Sequence, residues 1–317
     1  MYNIQRGELY MNITNFLSLM LKFALPGVLI NDVISLLSIA NKRKDNLRCS
    51  EIYVPYFTDN KPISKLKIDC ERLNCLAKYL KILDDKLTDC EKRTLHENLQ
   101  TLKVCKKNFF SLSFHDGLYI PKENKILVAT IDSLGHELLH MSSTKVLPQD
   151  IYLIGYRYIN RNANIDIGNG LNEGYTELLA TRYFGCSTLP FENKENVQIA
   201  RLLECFFDNP QYMRYLYFNH DLNGFIDYMT TFAEKEEVIQ LLIEIDELND
   251  LNKLITPLYL MKSRLIQEKL NEWFKSKVTE RERINKFDAI YNAKSRKKND
   301  KIKKTKKLLT QHKNNFV

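Results

Sequence analysis

Hydrophobic residues recur at helical spacing through two long parts of the chain. Between residues 62 and 108 the leucines stand three or four positions apart, at Leu73, Leu76, Leu80, Leu83 and Leu87. The same periodicity returns from about residue 196 to residue 291, where it is broken by prolines and by an Asn-rich segment. Apolar positions that repeat every three to four residues predict amphipathic helices. Both parts are therefore expected to be helical.

A shorter and more varied pattern lies between these two helical parts. Residues 117–120 and 125–128 are short apolar runs on either side of a Pro-Lys-Glu-Asn turn, which predicts a β-hairpin. Thr130 or Asp132 can then cap a helix whose apolar face carries Leu134, Leu138 and Met141. A possible strand follows at 151–159.

A second helix is predicted to begin near Asn169 or Gly170 and to end at Gly185, because glycine suits the left-handed position after a helix. The elements together predict an α+β, mostly helical protein. We expect four regions: an N-terminal helical region (1–110), a core (111–191), a C-terminal helical region (192–293) and a disordered or loosely helical basic tail (294–317).

Positive charge is concentrated in the tail. The chain carries a formal charge of +8, but residues 294–317 hold ten Lys or Arg and one Asp, whereas the rest holds 37 basic and 38 acidic residues. The body is therefore nearly neutral, so any contact with nucleic acid or an anionic membrane is expected through the tail alone, and a solubilising or vestigial tail is the alternative. Seven scattered Cys without a CxxC pair favour a reducing compartment, so a cytoplasmic location is expected.

One apolar segment, Phe16–Ala40, is a candidate for membrane contact. Lys22, Pro26 and an Asn-Asp pair divide it into short pieces, whereas a spanning helix needs about 20 predominantly apolar residues. We expect amphipathic helices that cover the core, with a peripheral position on a membrane surface as the alternative.

The most informative motif is His136-Glu-Leu-Leu-His140, an HExxH on the first predicted helix of the core. Histidines four positions apart project from one face of a helix, so both rings can reach the same ion. Glu137 lies one step round the helix, where it can take a proton from a water molecule at that ion. The motif predicts two metal ligands and a general base.

Two further carboxylates follow in Leu171-Asn-Glu173-Gly-Tyr-Thr-Glu177. Two Glu at this spacing repel each other on a helix, so a nearby cation is expected to compensate them. A metal ion bound by Glu173, with Glu177 accepting the free ring N–H of a bound histidine, would do so. Two solvated Glu on an exposed helix are the structural alternative.

These motifs resemble those of the gluzincin metallopeptidases, of which thermolysin is typical, and those of bacterial predicted metallopeptidases with the longer Leu-Asn-Glu-Gly-Tyr-Thr-Glu run. The resemblance covers about 80 residues. It implies a zincin-like core, Zn²⁺ bound by His136, His140 and Glu173, catalysis by Glu137, and Glu177 as the partner of His136. It also implies that residues 125–128, or their hairpin partner, hold a peptide or protein substrate.

The residue that stabilises the oxyanion in such a reaction is not located by any motif. Tyr156, Tyr158, Tyr175 and His220 are candidates, of which His220 and Tyr158 are preferred. An aromatic cluster at 206–218 can form either core or a pocket wall. A zinc-dependent peptidase is the expected function, and a catalytically inactive helical binding protein with a basic tail is the alternative.

Overall fold

The structure is a computed structural model that describes residues 70–106, 117–128, 130–185, 194–251 and 257–292. All of these residues belong to one compact unit, which spans 49–317. The predictions for the apolar segment at 16–40 and for the basic tail at 294–317 fall outside the described residues. The predicted division into four regions stays a prediction.

Ten α-helices account for most of the described residues, which confirms a mostly helical α+β protein. They are α1 (Cys70–Lys86), α2 (Asp89–Leu99), α3 (Ile131–Ser142), α4 (Asn169–Phe184), α5 (Lys194–Glu204), α6 (Pro210–Phe218), α7 (Leu222–Met229), α8 (Lys235–Leu251), α9 (Pro257–Lys277) and α10 (Arg281–Tyr291). None of the described helices has the length and apolarity that crossing a bilayer requires.

Seven described strands form two small sheets: β1 (Lys103–Lys106), β2 (Gly117–Ile120), β3 (Lys125–Val128), β4 (Thr144–Leu147), β5 (Ile151–Ile154), β6 (Arg157–Asn160) and β7 (Ile165–Ile167). The first sheet has the order β1-β3-β2, with β1 parallel and β2 antiparallel to β3. The second is an antiparallel meander, β4-β5-β6-β7, which joins α3 to α4.

The hairpin predicted ahead of the HExxH helix is confirmed. Strands β2 and β3 pair through a short 3-10 turn, and Asn124 closes that turn in the left-handed conformation at φ 44°. Ile126 and Val128 alternate into the core, and helix α3 packs against both strands. Thr130 caps α3 by accepting the Ser133 amide, as the sequence predicted.

Two predictions were wrong in detail. The region from 62 to 108 is not wholly helical, because residues 103–106 form β1, whose pairing with a strand 22 residues later is invisible to local periodicity. The single strand expected at 151–159 is two strands, because Gly155 turns the chain at φ 53° and donates its amide to Ser143.

Helix α4 is the centre of the packing. It contacts α3 on one side and α5 and α8 on the others, and α9 and α10 pack outside α5. Two glycines allow close contacts of α4, since a Cβ at Gly170 would lie 2.4 Å from the Ile245 carbonyl oxygen of α8 and one at Gly174 would lie 2.4 Å from the Asn196 carbonyl oxygen of α5. Helix α4 also packs against α3, which places its first two turns beside the HExxH motif.

Candidate metal centre

The HExxH histidines converge on the acidic residue predicted from the second helix. Nε2 of His136 lies 2.9 Å from Nε2 of His140 and 3.2 Å from Oε2 of Glu173. Nε2 of His140 lies 3.4 Å from Oε1 of Glu173. Residues separated by 33 positions, on helices α3 and α4, therefore bring two nitrogens and a carboxylate to one point that can bind a metal ion.

These separations fit the donor set of a tetrahedral ion. Two ligands that each lie 2.0 to 2.1 Å from an ion, at a tetrahedral angle, are about 3.3 Å apart. The three pairs of donor atoms are 2.9, 3.2 and 3.4 Å apart. Two imidazoles and one carboxylate also leave a fourth position open, as catalytic zinc sites do.

Each imidazole is held in place through its other nitrogen. Nδ1 of His136 lies 3.0 Å from Oε2 of Glu177, and Nδ1 of His140 lies 3.2 Å from the Asn172 side-chain nitrogen. Asn172 is itself fixed, because its Oδ1 accepts the Tyr156 amide at 3.2 Å. The carboxylate at Nδ1 of His136 accepts its ring N–H and leaves the Nε2 lone pair of His136 free for an ion, while the Asn172 contact fixes the orientation of the His140 ring.

Charge in the centre favours a cation. Burial alone would lower the pKa of His136, but hydrogen bonds to Glu173 and Glu177 outweigh it and raise the pKa well above its ordinary value. Burial likewise acts to raise the pKa of Glu173, and the two histidines hold it well below the usual range instead. The centre thus stabilises positive charge on the His136 imidazole, and a bound dication would satisfy the same carboxylates.

Glu137 lies beside the convergence point, where its carboxylate interacts electrostatically with both histidines without being one of the three converging donors. Burial raises the pKa of its carboxyl group, while the nearby histidines and a hydrogen bond from the Tyr119 backbone act to lower it. A carboxylate whose pKa is shifted towards neutrality is suited to accept and return a proton. Both its position and its environment agree with the predicted role of general base.

The centre is more enclosed than the sequence suggested. The side chains of His136 and His140 are 5% and 7% exposed, whereas that of Glu173 is 25% exposed. Helix α3 is buried on all sides from Ser133 to Ser142, so it has no open histidine face. Solvent reaches the centre mainly on the side of Glu173.

The four oxyanion candidates lie in different surroundings. Tyr156 and Tyr175 are fully buried and pack edge-on against each other with their rings 5.6 Å apart, in the aromatic core. Tyr158 is half-buried on β6, with its hydroxyl 3.4 Å from the Asn160 side chain. His220 adopts a left-handed backbone, and burial lowers its pKa to about 4.

The electrostatic contacts of His220 run to the Ser143 backbone, Lys145 and Asp221. Among the described contacts, none joins His220 or Tyr158 to the three ligands, so a role in oxyanion stabilisation stays a prediction for both. The aromatic cluster at 206–218 is mainly core, since Phe206, Phe207, Tyr217 and Phe218 are buried and only the side chains of Tyr212 and Tyr215 are exposed.

Strand β2 passes directly over Glu137. The Tyr119 amide donates to the Glu137 carboxylate, and a Cβ at Gly117 would lie 2.6 Å from its Oε1 and 2.8 Å from its Cγ. Both edges of β3 are paired, one to β1 and the other to β2. Strand β2 lies beside Glu137 at the end of the described sheet, so one of its edges pairs with no other described strand. Residues 125–128 are therefore unavailable as a peptide-binding edge, whereas the second edge of β2 pairs with none of the described strands and has its Tyr119 amide directed to Glu137.

Gly117→Ala is expected to displace the base without disturbing the ion. Its methyl group needs about 1 Å more room than the Glu137 side chain leaves, and misplacement on that scale costs ~10- to 100-fold in turnover. Peptide hydrolysis and zinc content should be measured on the same sample. Leu118→Ala, which changes a half-exposed neighbour on the opposite face of β2, is the matched control. Equal turnover in Gly117→Ala and the parent would contradict the assignment.

Asp246 fixes the start of α4 from a distant helix. Gly168, the N-cap residue that precedes α4, has no side chain to cap the helix, and the Asp246 carboxylate of α8 accepts the Gly168 and Gly170 amides at 2.8 and 2.7 Å. Burial raises the pKa of Asp246 to about 6, although both amides act to lower it. The first turn of α4, which leads directly into Asn172 and Glu173, is thus anchored to α8.

Asp246→Ala is expected to destabilise the protein by about 1 to 2 kcal/mol, the usual cost of removing a helix cap. Zinc should also bind more weakly, because α4 supplies Glu173. Denaturant unfolding with and without zinc measures both effects. Asp246→Asn keeps one acceptor oxygen, so its stability should lie between that of the parent and that of Asp246→Ala. An Asp246→Ala variant as stable as the parent would show that the cap contributes nothing.

Sequence reasoning missed Asn172, Gly117 and Asp246. Asn172 was visible in the motif, and its position next to Glu173 was the available signal. The other two, Gly117 and Asp246, act where segments distant in sequence meet, 20 and 78 residues along the chain from the groups they contact.

Comparisons with protein-family models, with curated proteins and with solved structures gave no match to this chain.

Proposed function

We propose that the chain is a zinc-dependent peptidase with a gluzincin-like site. The observation that carries the proposal is the convergence of His136 Nε2, His140 Nε2 and a Glu173 carboxylate within hydrogen-bond distance of one another. His₂Glu is a ligand set of zinc hydrolases, whereas structural zinc sites are closed by a fourth protein ligand. Zn²⁺ held there would supply Lewis acidity and an activated water for amide hydrolysis.

Each residue of the candidate site has a defined task in this proposal. His136, His140 and Glu173 hold the ion, while Glu177 and Asn172 fix the two rings. Glu137 accepts a proton at its carboxylate and passes it to the nitrogen of the leaving amine. The enclosure of the centre limits solvent mainly to the side of Glu173, which strengthens the interaction between the Glu137 carboxylate and the charges that develop beside it.

The substrate class follows from the strand beside the base. An extended peptide that pairs with β2 would place one of its carbonyl groups near Glu137, since Gly117 and Tyr119 flank that carboxylate. We therefore propose an extended peptide or an unfolded protein segment as substrate. Folded proteins would need an exposed strand or loop to reach the same edge.

A metal-restoration experiment tests the function. The purified full chain is stripped with a chelator, dialysed and assayed on a mixture of quenched fluorescent peptides, before and after one equivalent of Zn²⁺ is restored. Hydrolysis that is absent without the ion and returns with it is expected. Stoichiometric zinc without hydrolysis of any peptide in the mixture would reject the peptidase and favour a binding protein with a structural metal.

A further inference from the structure

Tyr119 contacts both the candidate general base and the turn of the hairpin. Its side chain lies on the buried face of β2 together with Gly117, and β2 packs against α3. The Tyr119 amide donates to the Glu137 carboxylate. The Tyr119 hydroxyl donates to the Asn124 side-chain oxygen at 3.1 Å. A single residue of β2 therefore contacts the base through its backbone and the hairpin turn through its side chain.

Asn124 links the hairpin turn to helix α2. Its side-chain nitrogen donates to the Asn98 carbonyl oxygen at 2.5 Å and to the Thr101 hydroxyl at 2.8 Å. Its backbone is left-handed, at φ 44°, a conformation that asparagine adopts more readily than most residues. The turn between β2 and β3 is thereby held against the C-terminal end of α2.

Asn98 completes a set of contacts at the C-terminal end of α3. Its side-chain nitrogen donates to the carbonyl oxygens of Met141 and Thr144, both at 2.8 Å. The end of a helix leaves such carbonyl groups without intrahelical partners. The Thr144 side chain also hydrogen-bonds to the Tyr119 hydroxyl, and it donates to the His140 carbonyl oxygen at 2.6 Å. We call Tyr119, Asn124, Asn98 and Thr144 the hairpin network.

We propose that Tyr119 is a positioning residue for the general base. The hairpin network fixes β2 against the end of α3, and the Tyr119 amide and Gly117 then set the place of the Glu137 carboxylate. Each member of the network has a hydrogen-bond partner, and a buried polar network that is fully satisfied holds one rigid geometry. This role rests on the proposed peptidase function, in which Glu137 moves the proton.

A small movement of β2 is expected to have a large effect on the base, because the two are in close contact. A Cβ at Gly117 would lie only 2.6 Å from Oε1 of Glu137. Misplacement of a reacting group by about 1 Å costs on the order of 100-fold in turnover. Tyr119→Phe removes the hydroxyl but keeps the amide that contacts Glu137, so a smaller displacement and a loss of about tenfold are expected.

Two substitutions in the full chain interrupt the hairpin network at different points. Tyr119→Phe keeps the ring, and Asn124→Gly keeps the left-handed turn that glycine adopts without strain. The values of kcat and KM for one quenched fluorescent peptide, and the bound zinc, are measured well below the melting temperature of every variant. Tyr152→Phe is the matched control, because it removes the hydroxyl of another buried tyrosine, which donates to Asp150 at 2.9 Å.

Both test variants are expected to lose about tenfold in kcat, with KM within about twofold of the parent and one zinc per chain. The double variant should be no slower than the slower single variant, because both substitutions interrupt the same connection. Tyr152→Phe should keep the kcat of the parent even if its melting temperature falls. A network that only stabilises the fold would lower the melting temperature and leave kcat unchanged at this temperature.

Three results would overturn the role of Tyr119. They are a Tyr119→Phe variant with the kcat of the parent, losses in the two single variants that multiply in the double variant, and loss of zinc from Tyr119→Phe. A parent chain that hydrolyses no peptide would reject the proposed function and this role with it. An active parent whose Tyr119→Phe variant is equally active would reject the role alone.

Discussion

Glu137→Gln should abolish peptide hydrolysis while the protein keeps its metal. Glutamine has nearly the same shape but cannot accept the proton, so turnover is expected to fall by roughly 10²- to 10⁴-fold, the usual contribution of general acid–base catalysis. Zinc content should not change, because the Glu137 carboxylate is not among the three donors that converge. The raised pKa of this buried carboxyl group also predicts that activity declines as pH falls through that pKa.

Turnover and bound zinc are measured on the same preparation of the Gln variant. Glu123→Gln is a suitable control, since that carboxylate is exposed on the turn between β2 and β3. Hydrolysis by the Gln variant at the rate of the parent would show that another group moves the proton. Loss of zinc in the Gln variant would show instead that Glu137 belongs to the metal-binding set.

His140→Ala should lose the metal as well as the activity. Removing a side chain that hydrogen-bonds to a metal ligand weakens metal binding by about 10- to 100-fold in general. Removing the ligand itself should therefore weaken zinc binding by at least on the order of 100-fold. Zinc stabilises any protein that binds it only in the folded state, by about 2.7 kcal/mol at 100 times its dissociation constant. Zinc should thus raise the melting temperature of the parent and leave that of His140→Ala unchanged.

Thermal unfolding with and without added zinc separates loss of the site from loss of the fold. The Ala variant also removes a buried side chain next to Asn172, so its melting temperature without zinc is the necessary reference. His96→Ala, at an exposed position on α2, should respond to zinc as the parent does. A His140→Ala protein that zinc stabilises as strongly as the parent would place the metal elsewhere.

Local sequence signals predicted the parts of the site that lie on single helices. The Leu134, Leu138 and Met141 spacing and the Thr130 cap define α3, and the four-residue step from His136 to His140 is enough to bring two ring nitrogens 2.9 Å apart. Gly185 ends α4 in the left-handed conformation, as expected. These features depend on neighbours within a few residues, which a sequence displays directly.

Features that depend on the meeting of distant segments were not predicted from composition or periodicity. Glu173 was assigned from its like-charge spacing to Glu177 and from a family motif that links it to His136 and His140, and the structure brings all three together. The Asp246 cap of α4 and the passage of Gly117 over Glu137 have no local signal, because each arises from packing between separate elements.

Zinc K-edge X-ray absorption on the purified full chain tests the central claim most directly. It reports the number, distance and element of the atoms around the ion. We predict one zinc per chain, bound by two imidazole nitrogens at about 2.0 to 2.1 Å and by oxygen at about 2.0 to 2.2 Å, with no sulfur. A chain that binds no zinc, or a zinc bound by cysteine sulfur at about 2.3 Å, would contradict a centre built from His136, His140 and Glu173.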